Sequence, residues 1–464
     1  MKCVYTQLYE LIHLCTKLWI MRGIVTSFLI VLISLSAFAQ AEHVILISID
    51  GLRPEFYQDS GWPATNIQHL AEEGATADFV RGVFPSVTYP SHTTIITGAM
   101  PAKHGIYYNS PFEPGGQTGR WYWEEELIQQ KTLWDAAREK GLTTANVSWP
   151  VSVGAPVDYN LPEVWTLDRD ADQYAYAKSL ATDGLPEELE SKASGEITDA
   201  TYSMDWTARD VRAGFMAVHM IEKYKPNLFT IHLVTLDHFQ HEEGRDGLQV
   251  RRSLQAVDYA VGQIKDACER AGILDKTAII VTGDHGFVDI HTTVQPNAWL
   301  VKAGLMEPRR DRGDWKAAFH TSGAAAFLQL KDPNDKKTLQ KVRQILNDLP
   351  EDRKKLFRVV DRDELDAIGA DPSAPLALTP EEGINLSSWA SNEDLRAASG
   401  GQHGFFPDFD DIHTGFIGYG AGFRKGAVAR QIGLEDIAPL IIKLLDLDLE
   451  VPDGTLYPGL LSNK

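Results

Sequence analysis

Carboxylates and imidazoles recur in this 464-residue chain at spacings that suit divalent metal ions. Asp237 and His241 stand four apart in DHFQH, so a helical turn there would present both on one face. Asp284 and His285 are adjacent in TGDHG, where Gly283 and Gly286 would let the backbone turn sharply and approach a ligand. His403 sits in the Gly-rich bend GGQHGFF, and Asp50 ends the apolar run HVILISID just before Gly51. Oxygen and nitrogen donors without a thiolate describe a catalytic, zinc-like site rather than a structural one. Singly, each residue has an ordinary reading: an Asp after a strand caps a helix, and a His beside Gly is solvated. The set is what points to chemistry. Thr88, in GVFPSVTYPSH, adds a hydroxyl ahead of the apolar run TIITG, as a turn residue or as a nucleophile.

Such residues act together only if the fold gathers them. Short apolar runs alternate with longer helical patterns, which predicts an α/β protein with a parallel sheet. Strands are expected over 43–50, 142–150, 228–237 and 276–286, and helices over 64–74, 132–141, 207–226 and 248–272. SHTTIIT (91–97) continues as a helix behind Thr88. In open parallel sheets the ligand crevice lies beyond the carboxyl ends of the strands. Three of the strand runs end in Asp, at Asp50, Asp237 and Asp284, which would line one sheet edge with acidic groups. From about residue 296 to 400 the pattern is less regular and reads as an inserted region. A strand over 411–420 and a closing helix over 434–447 complete the chain.

The net charge of −20 argues against a nucleic-acid duplex as partner, which needs a basic face. It leaves room for a small anionic substrate if metals supply local positive charge. From Met21 the sequence reads MRGIVTSFLIVLISLSAFAQA, the pattern of a secretory signal ending at Ala37-Phe38-Ala39. Residues 1–20 sit oddly ahead of it, and Met21 reads as the true start. Residues 1–39 are thus expected to be removed, leaving 40–464 as a single catalytic domain, secreted or periplasmic, with no stable membrane span. Cys3 and Cys15 leave with the signal, so Cys268 remains alone, without an internal disulfide, as a small buried hydrophobe.

ISIDG, FPSVTYPSHTTIITG, HGIYYN, LDHFQH, TGDHGF and GQHGF, in this order, resemble the nucleotide pyrophosphatase/phosphodiesterase family of the alkaline phosphatase superfamily. The similarity runs from about Val44 to Gly426. It implies an alkaline-phosphatase-like three-layer αβα fold, with a mainly parallel central sheet and a smaller inserted α+β region. It also implies a centre of two divalent metal ions, zinc by family habit. Asp237, His241 and His403 would hold one; Asp50, Asp284, His285 and the Thr88 oxygen would hold the other. Thr88 would attack phosphorus and form a covalent phospho-threonine, and Asn109 matches the family's phosphate-binding asparagine. The Tyr89 N–H, next to the nucleophile, would donate to the same oxygen as the Asn109 amide. The chain departs from the family pattern at Ser91, usually Asn, and at His238, Phe239 and Gln240, usually small. The metal positions survive both changes, whereas the pocket shape is put in question.

No motif-linked cation stands beside Thr88 or Asn109, since Arg81 and Lys103 read as solvated. An uncharged amide donor fits a singly charged phosphodiester better than a monoester dianion. Tyr89, Tyr107, Tyr108, Trp121, Tyr122, Trp123, Trp149, Trp165 and Tyr174 are candidates for holding a base, by stacking, or a choline group, by cation–π contact. The expected function is hydrolysis of a small-molecule phosphodiester or pyrophosphate. Alternatives are a phosphomonoesterase, a choline-phospholipid phosphodiesterase and a non-catalytic metal-binding protein. The sulfatase motif C/S-x-P-x-R is absent near Thr88.

Overall fold

The computed structural model describes residues 41–462, apart from 205 and 309–312; the expected signal segment, with Cys3 and Cys15, lies outside them. The central layer is an eight-stranded sheet. β1 (His43–Ile49), β2 (Ala75–Arg81), β3 (Thr144–Val147), β4 (Tyr159–Leu161), β5 (Leu228–Leu233) and β6 (Thr277–Thr282) join the later strands Phe416–Gly420 and Val428–Gly433. From β6 through β1, β5 and β3 to β4 every neighbour is parallel. Phe416–Gly420 lies between β6 and β2 and runs antiparallel to both. The sheet is therefore mixed and mostly parallel.

β1 shows why the sequence builds a layer buried on both faces. Its residues are all buried, and a strand covered on both sides needs an unbroken apolar run. Ile45, Ile47 and Ile49 point to one face, against Leu70, Met220 and Leu254 of three helices: Thr65–Glu73, Trp206–Tyr224 and Leu248–Arg270. Val44 and Leu46 point to the other, against Ile95, Trp134 and Leu440 of the helices Thr88–Thr97, Leu133–Glu139 and Ile437–Leu445. Helices on both faces make the expected three layers.

The expected inserted region contains a four-stranded antiparallel sheet: Phe357–Asp361, Leu376–Pro380, Ala325–Leu330 and Ala317–Ser322. It has its own apolar cluster, in which Trp299, Phe319 and Val342 meet. No helix among the described residues is long and apolar enough to cross a membrane. Cys268 is buried and its thiol is pushed up to about 12 by desolvation, so it is unreactive near neutral pH.

Several expected bounds need correction: the strand over 142–150 stops at Val147, that over 276–286 stops at Thr282, and that over 411–420 begins at Phe416. The strand over 228–237 stops at Leu233, and Asp237 stands in the first turn of the helix Thr235–Glu243. β2 and Val428–Gly433 were not expected at all. Both lie near the sheet edge and mix buried with exposed residues, so neither carries a continuous apolar signal.

Candidate metal centre and its pocket

Asp50 immediately follows β1, and Gly51 turns the chain with φ +71°. That conformation suits glycine alone at low cost. A Cβ there would also meet Gln240 Nε2 at 2.6 Å. The Gly51 N–H donates to Asp284 Oδ1 over 3.0 Å, tying the end of β1 to the loop after β6. Neither Gly283 nor Gly286 adopts a positive φ. They allow close approach instead: a Cβ at either would strike the segment Asp411–Thr414 packed against that loop.

His241 lies one helical turn after Asp237, its Nε2 3.4 Å from Asp237 Oδ1. Two buried amides at the start of that helix, Val234 and Thr235, donate to Asp210 at 3.0 and 2.8 Å, which fixes where it begins. His403 arrives from far along the chain. The strand Val288–Val294 leads away from His285 and pairs with Gly401–Gln402, which returns His403 to the site. The rings of His285 and His403 then stack 3.7 Å apart. His403 Nε2 is 3.6 Å from Asp237 Oδ1, and His285 Nε2 is 3.3 Å from Asp50 Oδ1 and 3.2 Å from Asp284 Oδ2. Asp237, His285 and His403 form one set of donor atoms within 4.8 Å of each other, and Asp50, Asp284 and His285 form another.

The three imidazoles share one hydrogen-bond arrangement. Nδ1–H of His241 donates to the Gly401 carbonyl at 3.0 Å, that of His285 to Gly286 at 3.2 Å, and that of His403 to Ser86 at 3.1 Å. Each Nε2 lone pair is thereby left toward the carboxylates, the tautomer a metal requires. Burial and neighbouring His403 push His285 well below its ordinary pKa, and burial lowers His403 to about 4, so both rings are neutral. Asp50 Oδ1, Asp237 Oδ1, Asp284 Oδ2 and His285 Nε2 are buried with no hydrogen-bond partner among the described residues. Unpaired buried carboxylates are costly, and divalent cations would remove that cost. The residues present therefore fit the metal ions that the sequence implied.

Thr88 is the first residue of the helix Thr88–Thr97 and is 7% exposed. It lines a cavity of about 360 Å³ together with Asp50, Asp237 and His241. The helix N-terminus beneath it favours an anion. Asn109 Oδ1 accepts the Tyr89 N–H over 2.9 Å. That N–H is thus engaged by Asn109 and not left open toward a phosphoryl oxygen as expected, and the amide nitrogen of Asn109 remains as the donor. The Tyr89 ring is fully buried, its hydroxyl donating to Glu163 at 3.2 Å, so it does not line the cavity. Of the other aromatic candidates Trp121 and Trp165 line it, joined by Tyr202 and Trp206, which the sequence reading missed. Tyr107, Tyr108, Tyr122, Trp123, Trp149 and Tyr174 belong to apolar clusters beside it.

A sequence profile described as type I phosphodiesterase / nucleotide pyrophosphatase matches residues 44–406. The chain belongs to this family. It is 24% identical over 429 residues to human ectonucleotide pyrophosphatase/phosphodiesterase family member 1, covering 89% of this chain but 40% of that protein. It is 24% identical to rat family member 7, covering 91% of this chain and 87% of the relative. Among solved structures, murine ectonucleotide pyrophosphatase/phosphodiesterase 5, a threonine-to-alanine form described as inactive and in complex with AMP, superposes with a TM-score of 0.63 at 18% identity. The match covers 90% of this chain and 100% of that one.

The departures from the family pattern have distinct outcomes in this phosphodiesterase-family chain. Ser91 is buried, its hydroxyl unpartnered among the described residues. Phe239 packs against the core and Gln240 Nε2 donates to the Gly51 carbonyl at 3.0 Å, so only His238 reaches the cavity. It stacks on Trp206 at 4.1 Å. Arg81 and Lys103 are ion-paired with Glu435 and Asp453 and line no part of the cavity.

His232 was hidden inside the apolar run of β5. Its Nε2 donates to Asp50 at 3.1 Å and its Nδ1 to Glu163 at 3.0 Å. Burial opposes a charge on this ring, but the two carboxylates outweigh it and raise its pKa well above the ordinary value. His232 thus orients Asp50 from behind.

The carboxylate cluster sets an expected result. Burial raises the Asp284 pKa from 3.8 to about 7 in the metal-free fold. A carboxyl whose folded pKa is raised opposes folding when ionised. That cost is absent below 3.8 and complete above about 7. Asp284→Asn should therefore stabilise chelator-treated protein by about 1–3 kcal/mol at about pH 8, with the gain vanishing toward about pH 4. With divalent metal restored the sign should reverse. Thermal unfolding across pH, with and without chelator, measures both.

Proposed function

We propose that this protein is a divalent-metal-dependent hydrolase that cleaves phosphodiester or pyrophosphate bonds of nucleotides through a phospho-threonine intermediate. The reading rests above all on one observation: three imidazoles, each held by a backbone carbonyl at Nδ1, turn Nε2 toward unpaired carboxylates beside Thr88. Asp237, His241 and His403 would hold one metal ion; Asp50, Asp284, His285 and Thr88 would hold the second, with zinc favoured by the donor set. Such ions would neutralise the carboxylates, lower the pKa of the Thr88 hydroxyl and stabilise the leaving oxygen.

The remaining steps belong to the chain's own groups. The helix start orients the Thr88 hydroxyl toward the cavity. The Asn109 amide, fixed through Tyr89, donates to a phosphoryl oxygen as charge develops on it. The Thr88 oxygen displaces the alcohol or phosphate leaving group, and water cleaves the phospho-threonine. The AMP bound to the murine relative supports a nucleotide substrate. We take residues 40–464 as one catalytic domain, with an inserted region at about 296–400. Secretion or periplasmic residence rests on the N-terminal apolar pattern.

Turnover of bis(4-nitrophenyl) phosphate exceeding that of 4-nitrophenyl phosphate tests the reading; a monoester preference would overturn it. Asn109→Ala should slow the diester reaction by roughly 10²–10³ if the amide acts on the transition state. An unchanged kcat would remove Asn109 from that role.

A further inference from the structure

The cavity beside Thr88 holds a cation that no part of the metal centre needs. Arg209, on the helix Trp206–Tyr224, lines it with Trp121, Trp165, Tyr202 and Trp206. Its guanidinium lies 5.4 Å from the ring centroids of both Tyr202 and Trp206. Among the described residues it has no hydrogen-bond or carboxylate partner. The polar side chains around it are already engaged. Gln173 Oε1 accepts from Thr166 N and its amide donates to the Asp168 carbonyl. Glu163 serves His232 and Tyr89. His238 pairs with Glu242. Arg209 is therefore the donor fork left open to an occupant.

Two kinds of held group suit aromatic walls, a quaternary ammonium and a nucleobase. The first is disfavoured, because Arg209 already covers two of the aromatic faces and would repel a second cation. A planar base fits better: it packs against Trp121 and Trp165, the walls that Arg209 leaves uncovered, while its edge meets the fork. A guanidinium donates only, and it pairs bidentately with two adjacent acceptors. Guanine offers that pair at O6 and N7, whereas adenine offers one acceptor and one donor. We propose that Arg209 is the specificity-determining residue of this pocket, selecting guanine nucleotides over adenine nucleotides and excluding choline-type head groups. This rests on the phosphodiesterase reading above.

The test compares 4-nitrophenyl esters of GMP and AMP, 4-nitrophenylphosphorylcholine and bis(4-nitrophenyl) phosphate on metal-loaded wild type, Arg209→Met and Arg209→Lys. Wild type should favour the GMP ester over the AMP ester by about tenfold in kcat/KM, and Arg209→Met should reduce that ratio to within about twofold. Arg209→Met should also gain activity on the choline ester. Arg209→Lys, which keeps the charge and loses the fork, should lose the base preference yet still reject choline. Bis(4-nitrophenyl) phosphate, which has no base, reports any loss common to all substrates, against which the GMP-to-AMP ratio is read. Equilibrium binding of GMP and AMP should show the same ratios without turnover. No guanine preference in wild type, or one that survives Arg209→Met, would overturn the proposal. So would an equal loss on every substrate, which would place Arg209 on the phosphoryl group or in the fold. Failure of wild type to cleave bis(4-nitrophenyl) phosphate would instead overturn the phosphodiesterase reading, leaving the binding ratios to judge Arg209.

Discussion

Thr88→Ala is expected to lower phosphodiester turnover by about 10⁴-fold or more while leaving metal content and thermal stability nearly unchanged. The residue heads its helix without capping it, since no side-chain bond closes the first turn. Alanine is also a better helix former than threonine, so the backbone loses nothing. The hydroxyl stands open to the cavity, and the neighbouring donors and carboxylates keep their positions without it. Only the attacking group disappears. Thr88→Ser should retain part of the rate, because the oxygen remains and only a methyl is lost. The decisive comparison is kcat on a nitrophenyl diester against metal content per chain. A Thr88→Ala protein that still turns over would exclude the covalent route. One that lost its metal would assign Thr88 mainly to ligation.

Removing a ligand should act through metal occupancy instead. Asp237→Ala and His403→Ala are each expected to release part of the bound divalent metal and lower the rate by at least about 10²-fold. Asp237 is the point where the imidazoles converge: Nε2 of His241 and of His403 both approach its Oδ1. Burial raises its pKa, but His241 first and then His403 outweigh that and hold it ionised. His403→Ala removes one of the imidazole nitrogens that face this carboxylate. Elemental analysis of each variant, with activity measured before and after adding excess metal, reads the outcome. Full occupancy in Asp237→Ala would show that this carboxylate is not a ligand.

Much of the centre was legible in the sequence because each element contributes through a short local pattern. An apolar run ending in Asp50, an Asp and His four apart, and Asp-His between glycines each say where a side chain goes relative to its own backbone. The i, i+4 rule brought Asp237 and His241 together once a helix formed, although the strand before it ended earlier than expected. The pocket wall was not legible in that way. Trp206 and Arg209 belong to a helix whose amphipathic pattern shows which side is buried, but not which neighbour a polar residue meets. His232 alternates within a strand that is buried on both sides, so its polarity was masked by the apolar residues around it. The pairing of the Tyr89 N–H with Asn109 depends on a helix start meeting a loop 20 positions further on. No local rule specifies such a contact.

The late strand Phe416–Gly420, wedged between β2 and β6, governs when the centre can exist. The segment just before it suspends the loop that bears Asp284 and His285. Gly286 N donates to the Ile412 carbonyl at 2.8 Å, Phe287 N to Asp411 at 3.1 Å and Gly283 N to Gly415 at 3.3 Å. A nascent chain emerging from the ribosome has every acidic and imidazole ligand before this support is made. Until this support pairs, the sheet lacks a strand between β2 and β6, and the loop bearing Asp284 and His285 has no backbone to hang from.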